Sequence, residues 1–465
     1  MNKKMLKKKF KFSTIISIFI ISLLILTVLV YNKKSFLISK AYEIAPNFTQ
    51  KVRFYYFNLP HNFPSIPSSN PVFNDLDFKL SLKSLVFKNS KSKNLKFFNE
   101  KKKIVFYMPK KNYLLSGISN KYAGSSYIDL FNDKLFLLSS RGLIAYGQIS
   151  DDEIVLNQID NNLNAYLGKD KFQKNSTYSF KDVLIHDQKI YVTFTDEIAK
   201  NCWSVSVLHS DIDYKYLKFE YLFKSNECID EKNDEGFVPI QSGGRIVPVD
   251  QKKLLLTIGD FRVRKKAQDL SSIFGKIINI NVDTGEHTVV TMGHRNPQGL
   301  YLDVKNKILL STEHGPRGGD EINLIHLEDI NNENILNFGW PISSYGEHYA
   351  KKNAITDDQI RKVNLLYEKY PLNKSHKDYG FIEPLHYFNP SIGISEITGI
   401  GDSIYMSSSL GGKKLFFFKL NKNNEINEYY IENIGERVRD VIFKNNKLIF
   451  FLEDTATIAV ANFNE

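Results

Sequence analysis

Cysteine occurs only twice in the 465 residues, as Cys202 and Cys228, which excludes a zinc site built from cysteines alone. Acidic residues are missing from the first 40 positions, although those positions hold nine lysines. Without them, 53 basic residues face 51 acidic ones. The formal charge of +11 therefore belongs to the N-terminus, and no global field is left to attract nucleic acid. Helical periodicity is scarce, with the segment around Asp357–Tyr370 as the best exception. Phe (34) and Tyr (25) are abundant, and these residue types favour pleated, half-buried strands.

The N-terminal lysines have a specific arrangement. Lys3, Lys4, Lys7, Lys8, Lys9 and Lys11 precede an uncharged run from Ser13 to Tyr31. Such a run is about long enough to cross a hydrocarbon layer as a helix, and the larger lysine cluster upstream holds that end in the cytoplasm. The expected organisation is a basic cytoplasmic tail at 1–12, a transmembrane signal anchor at 13–31, a tether and N-terminal extension at 32–115, and a globular region at 116–465. The globular region then lies outside the cytoplasm, in the periplasm if the cell is Gram-negative. A cleaved signal peptide is the alternative, for which Ser39-Lys40-Ala41 is a poor cleavage site.

Cys202 and Cys228 bracket two strand-like runs, Trp203–Leu208 and Leu217–Phe223. In an antiparallel hairpin the start of one strand lies beside the end of the next. Both thiols then meet, and outside the cytoplasm they form a disulfide. Closing that loop is worth about 3 kcal/mol in the chain-entropy model. Two unrelated buried thiols are the alternative.

From about Ala123 the texture becomes repetitive. Six segments have the form apolar strand, short polar turn, apolar strand: SYIDLF-NDK-LFLLSS, KDVLIH-DQK-IYVTFT, RIVPVD-QKK-LLLTIGD, GLYLDV-KNK-ILLSTEH, TGIG-DS-IYMSSS and VRDVIFK-NNK-LIFFLED. That recurrence predicts an all-β, six-bladed β-propeller with one four-stranded blade per hairpin. Two unrelated β-sandwiches are the alternative. In a propeller, loops from distant parts of the chain converge at one mouth, so polar residues at strand ends carry the chemistry.

Four segments stand out on that criterion: GHRNPQGL (293–300), EHGPRGGDEIN (313–323), NFGWP (337–341) and ERVRDV (436–441). Arg437 and Arg439 alternate along a strand start and share a face. Two guanidiniums on one face repel unless an anion or acids lie between them, and carboxylates suit them as bidentate partners. The Gly-rich EHGPRGGDE run can turn several carbonyls inward beside three acids, and oxygen ligands suit calcium. The bland reading is that the glycines shape turns while the arginines pair with Glu436 and Asp440.

In this order the motifs resemble the soluble PQQ-dependent glucose, aldose and sorbosone dehydrogenases, from roughly Gln241 to Asp454. The resemblance implies a six-bladed propeller binding pyrroloquinoline quinone (PQQ) and Ca2+. It puts Arg295 and Asn296 by the quinone oxygens, and Arg437 and Arg439 on the cofactor's carboxylates. The carbonyls of Gly315 and Pro316 would hold a calcium ion, with Asp320 and Glu321 at a further calcium site. The implied partners are a sugar or related alcohol and an electron acceptor.

The pattern is broken at its base. The family's histidine just before the Gly-rich GR turn falls here on Ile240 or Gln241, neither of which takes a proton near neutral pH. A family glutamine corresponds to a place near Thr177, and a family lysine to the Ser409-Leu410 region, where Lys413 comes two positions late. His294, His314, His348 and His386 are the histidines that could replace the base. Two functions stay open: a PQQ- and calcium-dependent sugar or alcohol dehydrogenase, and a non-catalytic propeller that binds a sugar, glycan or protein.

Overall fold

The computed structural model describes residues 84–109, 125–168, 171, 177–232, 236–330 and 335–463. The apolar run 13–31 and its flanks lie outside them, and among the described residues no helix is long and apolar enough to cross a membrane.

The protein is all-β and propeller-like. Each of the six hairpins read from the sequence forms the inner two strands of one antiparallel unit. The inner pairs are Ser126–Phe131 with Lys134–Ser139, Phe180–His186 with Lys189–Ala199, and Gly243–Pro248 with Lys253–Ile258. They continue with Pro297–Asp303 and Ile308–Glu313, Ile394–Gly401 and Ile404–Ser409, and Val438–Lys444 and Lys447–Leu452. We call these units one to six. The turns explain themselves chemically. Asn132-Asp133, Asp187-Gln188, Asp402-Ser403 and Asn445-Asn446 each have positive φ at both residues, the conformation that matches a two-residue hairpin loop to strand twist.

The innermost strands of neighbouring units touch all the way round, unit six against unit one included. Side chains tie adjacent inner strands together. Asp129 accepts from the Ile185 N–H (2.7 Å), Asp182 from Ile246 (3.0 Å), Glu396 from Leu300 (2.9 Å) and Asp440 from Ile128 (2.7 Å). The Ser395 hydroxyl donates to the Val438 carbonyl (2.6 Å). Buried carboxylates thus satisfy strand-edge N–H groups that would otherwise lack partners.

Ring closure corrects the expected domain boundary. The strand Glu100–Pro109, placed by the sequence in an extension, pairs with Thr457–Asn462 as the outer strand of unit six. Ser84–Phe97 pairs with that strand and, at its start, with Glu153–Asn161 of unit one. This N-terminal hairpin therefore joins the last unit to the first. The apolar layers lie between units, as where Leu85, Phe87, Leu156, Phe451 and Ile458 pack in one cluster.

Cys202 and Cys228 are joined in a disulfide, with Cα atoms 5.3 Å apart. The geometry differs slightly from the expected hairpin. Glu220–Phe223 pairs near the far end of Cys202–Asp211, and the short strand Ile229–Asp230 returns to Trp203 and Cys202. The one helix expected from periodicity is present as Asp357–Lys369, capped by Thr356, in an insertion within unit four.

Candidate functional site

Arg245 occupies the centre of the ring. Its guanidinium contacts Asp182 of unit two (3.0 Å), Glu396 of unit five (2.9 Å) and Asp440 of unit six (2.9 Å). It donates to the carbonyls of Gln298 (2.8 Å) and Arg439 (3.1 Å) and lies 4.9 Å from the Tyr127 ring of unit one. One side chain of unit three thus reaches all five other units. Burial pushes the three carboxyls up, because one guanidinium cannot compensate three desolvated acids. On one side of this plug is a cavity of about 480 Å³ lined by Asp129, Ile185, Pro248, Leu302 and Phe443, from the later parts of the inner strands. The motif residues lie on the other side, where the inner strands begin.

At that mouth Arg295 is held from several directions. Its N–H donates to Glu313 (2.7 Å), Nη1 donates to the His314 carbonyl (2.8 Å), and the guanidinium lies 5.5 Å from the Trp340 ring centre. Asn296 accepts from the Gly243 N–H (3.2 Å) and from Gln298 Nε2 (3.1 Å). Gln298 Oε1 in turn lies 3.4 Å from Arg439 Nη1. A continuous polar chain therefore runs from Arg439 through Gln298 and Asn296 to Arg295, His314 and the loop of Gly315 and Pro316.

Arg437 and Arg439 do share a face, and the acid between them is Glu453. It accepts from Arg437 Nε (2.7 Å) and from Arg439 Nε (2.9 Å) and Nη2 (2.8 Å). Burial works against its charge, yet Arg439 and Arg437 hold the Glu453 carboxyl below the usual range. The partners expected on the bland reading are engaged elsewhere: Asp440 with Arg245, and Glu436 with Thr455. Lys413 reaches Asp454 (2.6 Å).

Ile240 and Gln241, the two candidates for the family's histidine position, have different surroundings. Ile240 is 43% exposed, whereas Gln241 is buried. With its amide oriented to satisfy both neighbours, Gln241 donates to Asp260 Oδ1 (3.1 Å) and accepts from Arg295 Nη2 (2.9 Å). Asp260 is fully buried and also accepts from Trp340 Nε1 (2.8 Å). Burial raises it to about 6 against the pull of Arg295.

The candidate histidines have other tasks. His294 is buried between Glu313 (3.0 Å) and Thr291 (2.8 Å) and stacks on Phe338. Burial alone would raise Glu313, but His294 and the Arg295 N–H hold it low, so the pair positions the Arg295 backbone. His348 uses one nitrogen with Arg264 and the other with the Tyr370 carbonyl, both at 2.8 Å, and burial drops it to about 4. His386 stacks on Phe416 in the outer strand of unit four. His314 alone lies at the mouth, with Nε2 2.6 Å from the Ile394 carbonyl.

The proposed calcium acids are committed as well. Asp320 accepts from the N–H groups of Gly315 (3.0 Å), Ile392 (3.0 Å), Gly393 (2.6 Å) and Ile394 (3.1 Å). Glu321 faces buried His376 at 3.5 Å. The Pro316 carbonyl accepts from Tyr349 (3.2 Å) and Ser391 (3.4 Å). Among the described residues no cluster of three acidic, His or Cys groups could hold a metal.

Sequence reading missed Arg245, Lys181, Glu453 and Asp260 as site residues. Lys181 is 4% exposed, and its Nζ donates to the Thr177 carbonyl (2.8 Å). The only sequence signal for these four was their position at the ends of predicted strands.

The fold and the site define a class: a propeller-like β-protein whose axial mouth is lined by buried cations from several units. The sequence matches the family model described as Glucose / Sorbosone dehydrogenase over residues 179–461, more than half of the chain, and the protein belongs to that family. It is 33% identical over 122 residues to "Aldose sugar dehydrogenase YliI" of Escherichia coli, which covers 23% of this chain and 31% of the relative. It is 31% identical over 159 residues to "Quinoprotein glucose dehydrogenase B" of Acinetobacter calcoaceticus, covering 26% and 31%. The matched stretches span half or less of the length of the curated relatives. The crystal structure of the soluble aldose sugar dehydrogenase of E. coli superposes with a TM-score of 0.55 at 18% identity, covering 73% of this chain and 95% of that one, a likeness of fold.

Proposed function

We propose that this chain is a PQQ-dependent sugar dehydrogenase-like oxidoreductase built on a six-bladed propeller. Residues 13–31 hold it at the membrane, and the propeller lies outside the cytoplasm; the disulfide supports an oxidising compartment. The observation that carries the reading is the polar chain from Arg439 through Gln298 and Asn296 to Arg295 and the His314 carbonyl, with Arg437 beside Arg439 on Glu453. Guanidiniums gathered from two units fit a cofactor with several carboxylates. The names of two relatives, an aldose sugar dehydrogenase and a quinoprotein glucose dehydrogenase, support the same substrate and cofactor class.

Bound there, PQQ supplies a quinone that accepts a hydride from a sugar or alcohol carbon. The chain's own residues bind and orient. Arg437 and Arg439, braced by Glu453, hold carboxylates. Arg295, fixed by Glu313, Trp340 and the His314 carbonyl, would lie by the quinone oxygens with Asn296 beside it. A calcium ion at this loop would use the carbonyls of Gly315 and Pro316, the latter in place of its bonds from Tyr349 and Ser391. Gln241 can hydrogen-bond a substrate hydroxyl but cannot accept its proton.

That last point favours a second reading, a propeller that binds sugar or another partner without turnover. The test is dye reduction by the full-length chain with PQQ, calcium and a sugar panel. Turnover supports the enzyme. Tight PQQ binding without turnover supports the second reading, and no PQQ binding sinks the cofactor assignment.

A further inference from the structure

Lys181 is a buried amine that has no counter-charge among the described residues. It directly precedes Asp182 on the inner strand of unit two, but only Asp182 is drawn to the axial Arg245. The lysine stem packs over Gly244, where a Cβ would stand 2.5 Å from Lys181 Cβ; this contact, with φ of +111°, requires glycine there. An ammonium has three N–H donors, and here one goes to the Thr177 carbonyl, in the loop that enters unit two at the mouth.

No carboxylate among the described residues pairs with it. Asp182 is engaged by Arg245 and by the N–H groups of Val183 and Ile246. Glu453 is engaged by two arginines and Ser125. The charged neighbour that Lys181 does feel is Arg439, which repels it. Burying an uncompensated charge is expensive, so such a group sheds its proton or acquires an anion.

We propose that Lys181 is a proton-linked carboxylate ligand of the mouth, taking up a proton as an anionic group of the cofactor settles between it and Arg439. This inference rests on the PQQ reading and adds a residue and a linkage to it. The amine takes its proton from the buffer, and the new ammonium–carboxylate contact replaces solvent contacts of the anion. Burial first, then Arg439, lowers Lys181 to about 7. The charged group that acts on it is Arg439 of unit six, while the next residue, Asp182, joins Glu396 and Asp440 on the axial Arg245. The axial acids titrate in a similar range, so the variant comparison isolates the lysine.

The experiment is calorimetric titration of PQQ into the full-length chain in mild detergent, in phosphate and in Tris, whose different ionisation heats count protons. At pH 8 binding should take up about 0.9 proton, and at pH 7 about 0.5, the deprotonated fractions for a group near 7. Affinity should fall roughly tenfold per pH unit above 8. Lys181→Met should lose the uptake and at least about tenfold in affinity, whereas Lys181→Arg, permanently charged, should bind without uptake. Thermal melting confirms that both variants fold, and Lys181→Arg alone decides the linkage if the methionine variant does not. Wild-type binding without proton uptake, or uptake unchanged in Lys181→Arg, overturns this proposal and leaves the cofactor reading standing. Absence of PQQ binding overturns both.

Discussion

Replacing Glu453 by Gln tests why two arginines are held side by side at the mouth. Glu453 is 1% exposed and accepts four bonds of 2.7 to 2.9 Å, three from guanidiniums and one from Ser125. Glutamine keeps the shape, removes the charge and turns an amide N–H2 toward donors. Leaving buried charges without their partner costs about 3–5 kcal/mol. At about 2 °C per kcal/mol, suited to a chain of this size, the melting temperature should drop by about 6–10 °C. Glu453 is held below its ordinary range, so its contribution is full above the unfolded carboxyl value and fades only as pH falls through the lower folded one. The difference between variant and wild type should therefore persist from pH 8 to pH 5 and close in stronger acid. If Arg437 and Arg439 receive cofactor carboxylates, PQQ supplies the anion that the substitution removes. PQQ at about 100 times its Kd stabilises a binding-competent fold by about 2.7 kcal/mol; at one fixed concentration it should raise the melting temperature of Glu453→Gln more than that of wild type. Thermal unfolding by circular dichroism with and without PQQ measures both. A variant that melts within about 1 °C of wild type, or gains no more from PQQ, refutes this account of the arginines.

Arg245→Met should destabilise the ring by about 3–5 kcal/mol or more, because three buried carboxylates lose one shared cation. Asp182 and Glu396 sit at about 7 and about 8, so the folded state binds extra protons, and wild-type stability should fall as pH rises from the unfolded carboxyl value of about 4 up to those values. The deficit of Arg245→Met in denaturant unfolding should be smaller at pH 5.5 than at pH 8.5; a deficit independent of pH contradicts it. Gln241→His would place an imidazole against Asp260 and should raise dye reduction at saturating PQQ by about 10²–10⁴-fold. An unchanged rate would show that the lost base is not what limits turnover.

The six inner hairpins were legible because their signals are local: apolar strand-like runs in all six and, in four of them, Asn- or Asp-containing two-residue turns. The outer strand Glu100–Pro109 was not legible, because its partner Thr457–Asn462 is more than 350 positions away and no local pattern marks the pairing. The HRN, HGP and RVR segments were readable as loop chemistry, and their convergence followed from the expected fold. Partner choice was not readable. Glu453 rather than Glu436 or Asp440 braces the arginines, because the second strand of unit six ends beside the start of the first. Arg245 looked like a turn residue until three acids from three units met it. Lys181 opens a predicted strand, and its lack of a counter-charge among the described residues is visible only in three dimensions. Of the histidines, His294 and His348 bond through both ring nitrogens, a fact of packing that spacing does not encode.

Equilibrium binding of PQQ to the wild-type chain and to Arg439→Met, followed by the cofactor's absorbance, bears most directly on the mouth itself. A 1:1 complex in the micromolar range or tighter, weakened by about 100-fold in the variant, is the expected result. Equal affinity in the two proteins would contradict it, since the guanidiniums gathered from separate units would then serve the fold and not a ligand.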